Sequence, residues 1–200
     1  MMDIRFNILN SFVDKFVVCE SRYSHSGKKK KINFNINDYP HFKEKIIHLV
    51  IDKEPSNLIL KENLNTADKR YNSVIRIKYQ RNFIMSVLNQ FSPEDFIIHS
   101  DNDEIPNLEN FDLTGSQKKF VIFNQKIFYY KLNLLLPSLN WYGSKACKLK
   151  NLKDIDNLRA IKNKRYSMLR FDTLFSNIKH QSVEIVNKGG WHFSNLKNIK

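Results

Sequence analysis

The sequence predicts an α/β fold: a mostly parallel sheet in the first half, and an aromatic-rich mixed β arrangement in the second. Three observations carry this. Strand, helix, strand, helix and strand alternate through the first hundred residues, as in parallel sheets with crossover helices. The three predicted strands end in acids, Glu20, Asp52 and Asp101, at the carboxyl edge where such sheets bind ligands. Beyond residue 117 the composition shifts to aromatic and β-branched residues.

The elements follow in order. VDKFVVCES (13–21) is apolar and β-branched and reads as a buried strand. SRYSHSGKKKK is a loop, rich in Ser, Gly and Lys. DYPHFKEK (38–45) predicts a short helix with Pro40 in its first turn, and IIHLVID (46–52) a second strand. EPSNLILKENLN is an irregular surface connection. From Thr66 to Gln90 the pattern is helical: Val74, Ile75, Tyr79, Ile84, Val87 and Leu88 form a stripe that continues to Phe91. Thr66 is the expected N-cap. SPED breaks the helix, and DFIIHS (95–100) is the third strand. In the second half, KKFVIFNQKIFYYKLN (118–133) predicts one long strand or a pair, and NWYGSKACKLKNL mixes loop and strand. Residues 153–179 give no assignable pattern. VEIVNKGGWHFS (183–194) predicts a strand, a Gly-Gly turn and a further short strand.

The length fits one domain spanning 1–200. No run of eighteen apolar residues occurs, and the N-terminus lacks a basic stretch followed by an apolar one. The expected location is therefore cytoplasmic. Cys19 and Cys147 form no CxxC pair, which points to structural thiols rather than to a zinc site or disulfide. The formal charge of +13 favours an anionic partner. Lys far outnumbers Arg, however, and apart from KKKK (28–31) the basic residues are scattered, so charge alone does not choose among nucleotide diphosphate, acidic glycan and anionic membrane.

The chemistry concentrates in FIIHSDNDEIP (96–106), where Asp101, Asp103 and Glu104 sit directly behind an apolar run. Neighbouring carboxylates repel unless a cation separates them. Two carboxylates in an Asp-x-Asp pair can hold one Mg²⁺ or Mn²⁺ and leave its other positions to phosphate and water. The plain alternative is a turn or helix cap before Pro106.

Several separated segments resemble glycosyltransferase family 17, the family of the bisecting β-1,4-N-acetylglucosaminyltransferase. They are LNSFVDKFVVCESRYSHSGKKK, YQRN (79–82), SDNDEIP, FYYKLN, NWYGSK, LR (158–159) and GGWHFS (189–194), in the family's order. The resemblance implies a GT-A-type fold with a Rossmann-like sheet. It also implies inverting transfer from a nucleotide sugar, with UDP-GlcNAc favoured, to a glycan acceptor, using Mn²⁺ or Mg²⁺. Carried over, Asp101 and Asp103 form the metal and diphosphate site, and Glu104 supports that loop or touches the donor sugar. Glu20 and Ser21 lie near the nucleotide. Arg81 and Asn82 face the donor, with Arg81 able to grip phosphate. His192, flanked by Trp191, approaches the metal.

Each position has a structural alternative. Glu20 can simply end a strand, Arg81 can pair with Glu94 or Asp95, and His192 can pack. Trp141 and Tyr142 can stack on a sugar or fill the core. For the general base, Asp112, Asp154, Asp156, Asp172 and Glu184 are available, and none is singled out. The resemblance leads one to expect a further strand before MMDIRFNIL and further helices after GGWHFS. One further reading is accordingly a truncated domain that keeps the fold and loses the activity. Another is a nucleic-acid-binding protein or metal-dependent nuclease, whose binding would weaken steeply with salt.

Overall fold

A computed structural model describes residues 1–109, 111–167 and 169–196. Within them the chain divides into two compact units, Val13–Gln90, and Met1–Phe12 together with the residues from Phe91 on.

In the first unit, β1 (Phe16–Ser21) and β2 (Ile46–Ile51) pair in parallel, Phe16 opposite Ile46 and Ser21 opposite Ile51. The helix expected at 38–45 is a 3₁₀ segment, Pro40–Lys45, preceded by another at Ile36–Asp38. Short connecting segments commonly take this tighter turn. The long helix, α2, runs Thr66–Phe83 and then tightens to a 3₁₀ turn over Ile84–Gln90. Its cap is Asn65 rather than Thr66. The Asn65 side chain accepts from the Asp68 N–H at 2.8 Å, and the Asp68 carboxylate accepts from the Asn65 N–H at 3.4 Å, a reciprocal capping box. Gln80 fastens α2 to β1, donating to the Cys19 carbonyl at 3.0 Å. Buried Asn72 holds the connection before the helix by bonding both the N–H and the carbonyl of Ile59.

The second unit begins with α1 (Met2–Leu9), which buries Phe6 and Leu9. Its sheet takes the order β3 (Phe96–His99), β6 (Leu135–Lys148), β5 (Phe120–Tyr129), β8 (Gly190–Ser194) and β4 (Glu104–Pro106), with β7 (Val183–Val186) also on β5. Pairing is antiparallel for β3–β6, β5–β6 and β4–β8, and parallel for β5–β7 and β5–β8. The mostly parallel sheet expected from the sequence is therefore corrected to a mixed one, because β3 hydrogen-bonds with β6 rather than extending the β1–β2 pair. β5 is central and buried on both faces along its first half.

The Gly-Gly turn needs a second correction. β7 and β8 both run parallel to β5, so the glycines make a jog in one strand path instead of a reversal. Gly190 has φ +124°, and a Cβ there would fall on the Ile105 carbonyl oxygen. Only glycine lets β8 approach β4 this closely. The unassigned stretch 153–179 contains a short helix, α3 (Ile155–Ala160), capped by Asp154. Leu158 from α3 and Ile161 just beyond it join Phe120, Ile122, Cys147 and Val183 in the core, each such burial contributing about 1.5–3 kcal/mol. No helix among the described residues is long and apolar enough to cross a membrane.

Candidate functional site

The acidic segment is a tight turn between β3 and β4, closed by the Glu104 N–H donating to the Asp101 carbonyl at 3.1 Å. Three carboxylates in four residues cannot share so small a turn unaided, and two arginines hold them. Glu104 is fully buried, and its carboxylate accepts four hydrogen bonds. Oε1 accepts from Trp141 Nε1 and Arg159 Nη2, both at 2.7 Å. Oε2 accepts from the Asp101 N–H and Arg159 Nη1, both at 2.9 Å. The same Arg159 fork reaches Asp101 Oδ2 at 2.9 Å and the Gly143 carbonyl. Gly143 is itself required here, since a Cβ would fall on Gln125 Oε1 and lie 2.6 Å from the Glu104 carboxyl carbon.

Arg5, from α1, takes the backbone side of the turn. It donates to the carbonyls of Asp101 at 3.0 Å and Glu104 at 2.8 Å. Burial pulls the Arg5 guanidinium below its ordinary value, and the charges of Glu104, Asp101 and Asp103 oppose this without cancelling it. Burial acts the same way on Arg159, but its bond to Glu104 and the neighbouring carboxylates outweigh it, so Arg159 is raised and stays charged.

With Glu104 consumed and Asp101 shared, Asp103 is the carboxylate this turn presents most openly, its side chain 42% exposed. Its partner is His192 Nε2 at 3.2 Å. His192 sits opposite Glu104 in the β4–β8 register and stacks on Trp141, ring centroids 4.3 Å apart and 8° from parallel. Its Nδ1 is buried and has no hydrogen-bond partner. The tautomer that leaves no buried N–H unpaired puts the proton on Nε2, on the side of Asp103. A metal-bound Nε2 would instead force an unpaired N–H into the core. Of the expected ligand set Asp101, Asp103 and His192, the structure sets His192 beside Asp103 and ties Asp101 to Arg159. Among the described residues no group of three His, Cys, Asp or Glu forms a metal-binding set. The aromatic at the site is Trp141. Trp191 alternates with His192 along β8 and points to the other face.

Lys145 secures Arg159 from behind. It is buried on β6 opposite His99, and its Nζ donates to the carbonyls of Arg159 at 2.8 Å and Ile161 at 2.5 Å, closing the end of α3. Burial pushes this ammonium down to about 8, the Arg159 charge adding to the effect and Glu104 opposing it. Between about pH 8 and the ordinary lysine value of 10.5, the unfolded chain keeps a proton that the folded chain has released, so stability rises with pH. Urea unfolding across that window is expected to show the rise in the wild type and a flatter profile in Lys145→Met.

Glu20, Ser21, Arg81 and Asn82 belong to the other unit. Glu20 accepts from Lys30 Nζ at 2.5 Å and from the N–H groups of Asn33 and Phe34 at 3.0 Å. Burial would raise its carboxyl, but these bonds outweigh it and hold the group below the usual range. It organises the basic loop, with one of the KKKK lysines as its counter-ion. Ser21 Oγ accepts from the Tyr23 N–H at 3.0 Å and shapes the start of that loop. Arg81 and Asn82 are half-buried in the last turn of α2. Among the carboxylates considered as a base, Asp112 is bonded to Thr114, Asp154 to Asn157, Asp172 to Arg170 and Lys179, and Glu184 to Ser116.

The fold and the clamped turn define a mixed α/β domain with an acidic turn between β3 and β4, and the comparisons place it in a family. The model of glycosyltransferase family 17 matches residues 1–196, and the chain belongs to that family. It is similar to the β-1,4-mannosyl-glycoprotein 4-β-N-acetylglucosaminyltransferases of human, rat and mouse, 24% identical in each case over 97% of this chain. It spans 38% of the length of the human protein and 37% of the rat and mouse proteins. No solved structure matches it significantly.

Proposed function

We propose that this chain is a GT-A-type glycosyltransferase that transfers N-acetylglucosamine from UDP-GlcNAc to a glycan acceptor with inversion. The observation that carries the reading is the turn at 101–104, which lies within the matched family region and is held rigid by Arg159 and Arg5 while Asp103 stays accessible. The donor set fits a divalent ion in part: Asp101 and Asp103 are hard oxygen donors on one turn. Mn²⁺ or Mg²⁺ would take these two carboxylates and complete its shell from phosphate and water. When bound, it would offset charge on the departing diphosphate.

The residues of the chain have separable tasks in this reading. Arg159 keeps Asp101 facing outward and neutralises Glu104, so the turn does not repel itself. His192 fixes the Asp103 rotamer. Trp141 closes the floor by bonding Glu104 and covering His192.

The test is donor-dependent transfer and, separately, UDP-dependent thermal stabilisation with and without Mn²⁺. Asp103→Ala is expected to lower transfer by about 10²–10³-fold, while its unfolding midpoint without ligand stays near that of the wild type. Equal transfer by wild type and variant, or UDP binding indifferent to both metal and Asp103, would overturn the proposal.

A further inference from the structure

We propose that the segment from Lys162 to Lys179 is a docking loop for an anionic lipid bilayer, a property independent of the donor site. The loop is pinned at its base, where the Lys162 N–H donates to the Ile178 carbonyl at 2.8 Å and the Tyr166 N–H to the His180 carbonyl at 3.3 Å. Its tip is a 3₁₀ turn, Phe171–Thr173. Thr173 is buried; its Oγ1 donates to the Arg170 carbonyl at 2.7 Å and accepts from Gln181 Nε2 at 3.0 Å. Asp172, the loop's acid, is matched by Arg170 at 2.8 Å and Lys179 at 2.9 Å.

A turn with its polar groups so well satisfied has no internal need to expose apolar side chains, yet it exposes four large ones. Leu169, Phe171, Leu174 and Phe175 are 85, 75, 69 and 89% exposed. Exposure of this kind marks an interaction surface.

The charge around the tip identifies the partner. Residues 162–179 contain five basic residues, Lys162, Lys164, Arg165, Arg170 and Lys179, against Asp172 alone. Lys164 and Arg170 both lie over the Tyr166 ring, at 5.0 and 5.3 Å, which keeps basic groups at the level of the loop below its apolar tip. Apolar side chains ahead of a basic collar match a bilayer with anionic headgroups, which attract each nearby Lys or Arg while the tip enters the acyl boundary. A second copy seated symmetrically on this face would set the same basic collar against itself. A single-stranded nucleic acid would use aromatic rings for stacking, whereas half of the exposed tip is leucine.

The test is cosedimentation of the chain with phosphatidylcholine vesicles, with and without phosphatidylserine. Binding is expected only where phosphatidylserine is present, and to weaken with salt. Phe171→Ser with Phe175→Ser is expected to lower the partition coefficient by about tenfold or more. Lys164→Glu with Arg165→Glu is expected to lower it by a similar factor, about tenfold. Both double variants alter exposed side chains and should keep the wild-type unfolding midpoint. The proposal is overturned if the chain ignores anionic vesicles, or if binding is unchanged in both variants. It is equally overturned if the Phe171/Phe175 variant abolishes self-association or single-stranded RNA binding while vesicle binding is absent. No arm of the experiment involves a sugar donor, so failure here leaves the transferase reading untouched.

Discussion

Arg159→Met is expected to destabilise the chain by about 3–5 kcal/mol, because it removes the countercharge from a buried carboxylate. Methionine keeps most of the apolar stem, so the loss isolates the guanidinium. Glu104 would retain only the Trp141 indole N–H and the Asp101 N–H, and the Gly143 carbonyl would lose a donor. Arg5 carries a second positive charge close to the same turn, which argues for the lower end of that range. Lysine is no substitute, since one ammonium cannot bridge Glu104, Asp101 and Gly143 together. Urea unfolding followed by circular dichroism reads the effect. Combining Arg159→Met with Glu104→Gln is expected to cost less than the sum of the two single changes, because the second removes the charge that the first strands. Additive losses would mean that the pair is not coupled.

Gly190→Ala is the second large effect, expected at about 3 kcal/mol from backbone strain and overpacking combined. The positive φ disfavours any side chain, and the obstructing atoms are backbone, the Ile105 carbonyl oxygen and the Asn107 nitrogen, which cannot swing aside. Relief would require β8 to separate from β4, and that separation would pull His192 from its place opposite Glu104. Gly115→Ala is the matched control. There a Cβ would meet Asp112 Oδ2 at 3.2 Å, the end of a side chain rather than backbone, and the expected change is about 0.5 kcal/mol or less. Thermal unfolding of the two variants side by side distinguishes strain from a general intolerance of alanine.

What the sequence makes legible is local. The β-branched runs that give β1, β2 and β3 announce themselves, and so does the periodicity of α2. Partnering does not, because nothing inside FIIH says that it pairs antiparallel with residues 145–148 instead of extending a parallel sheet. The Gly-Gly pair shows the same limit: a hairpin and a jog use the same residue types, and here β5 decides the direction. Asn65 displaces Thr66 as cap because Asp68 stands three residues after Asn65, a signal visible in the sequence once the reciprocal bond is sought. The carboxylates at 101–104 stand out at once, while their arginines do not. Arg159 enters as half of a family-like LR pair with no role attached, and Arg5 is an unremarked residue near the start. An electrostatic accounting of the turn would have required such cations without saying which residues supply them. α3 is too short for periodicity to reveal, although Asp154 before Ile155 is an ordinary cap signal.

The clamps on the acidic turn also set its order of assembly. The turn itself is local, but Arg5 reaches Asp101 across 96 residues and Arg159 reaches it across 58. Closures of that length are entropically costly and slow to form, so the turn is among the last parts of the unit to become fixed. During synthesis Arg5 is made well before the turn, and Arg159 and then His192 only after it. A nascent chain stalled before β8 therefore carries the acidic residues in place along the sequence but lacks the strand that orients Asp103. Order in the turn is expected to appear abruptly once β8 is made rather than to accumulate gradually as the chain grows.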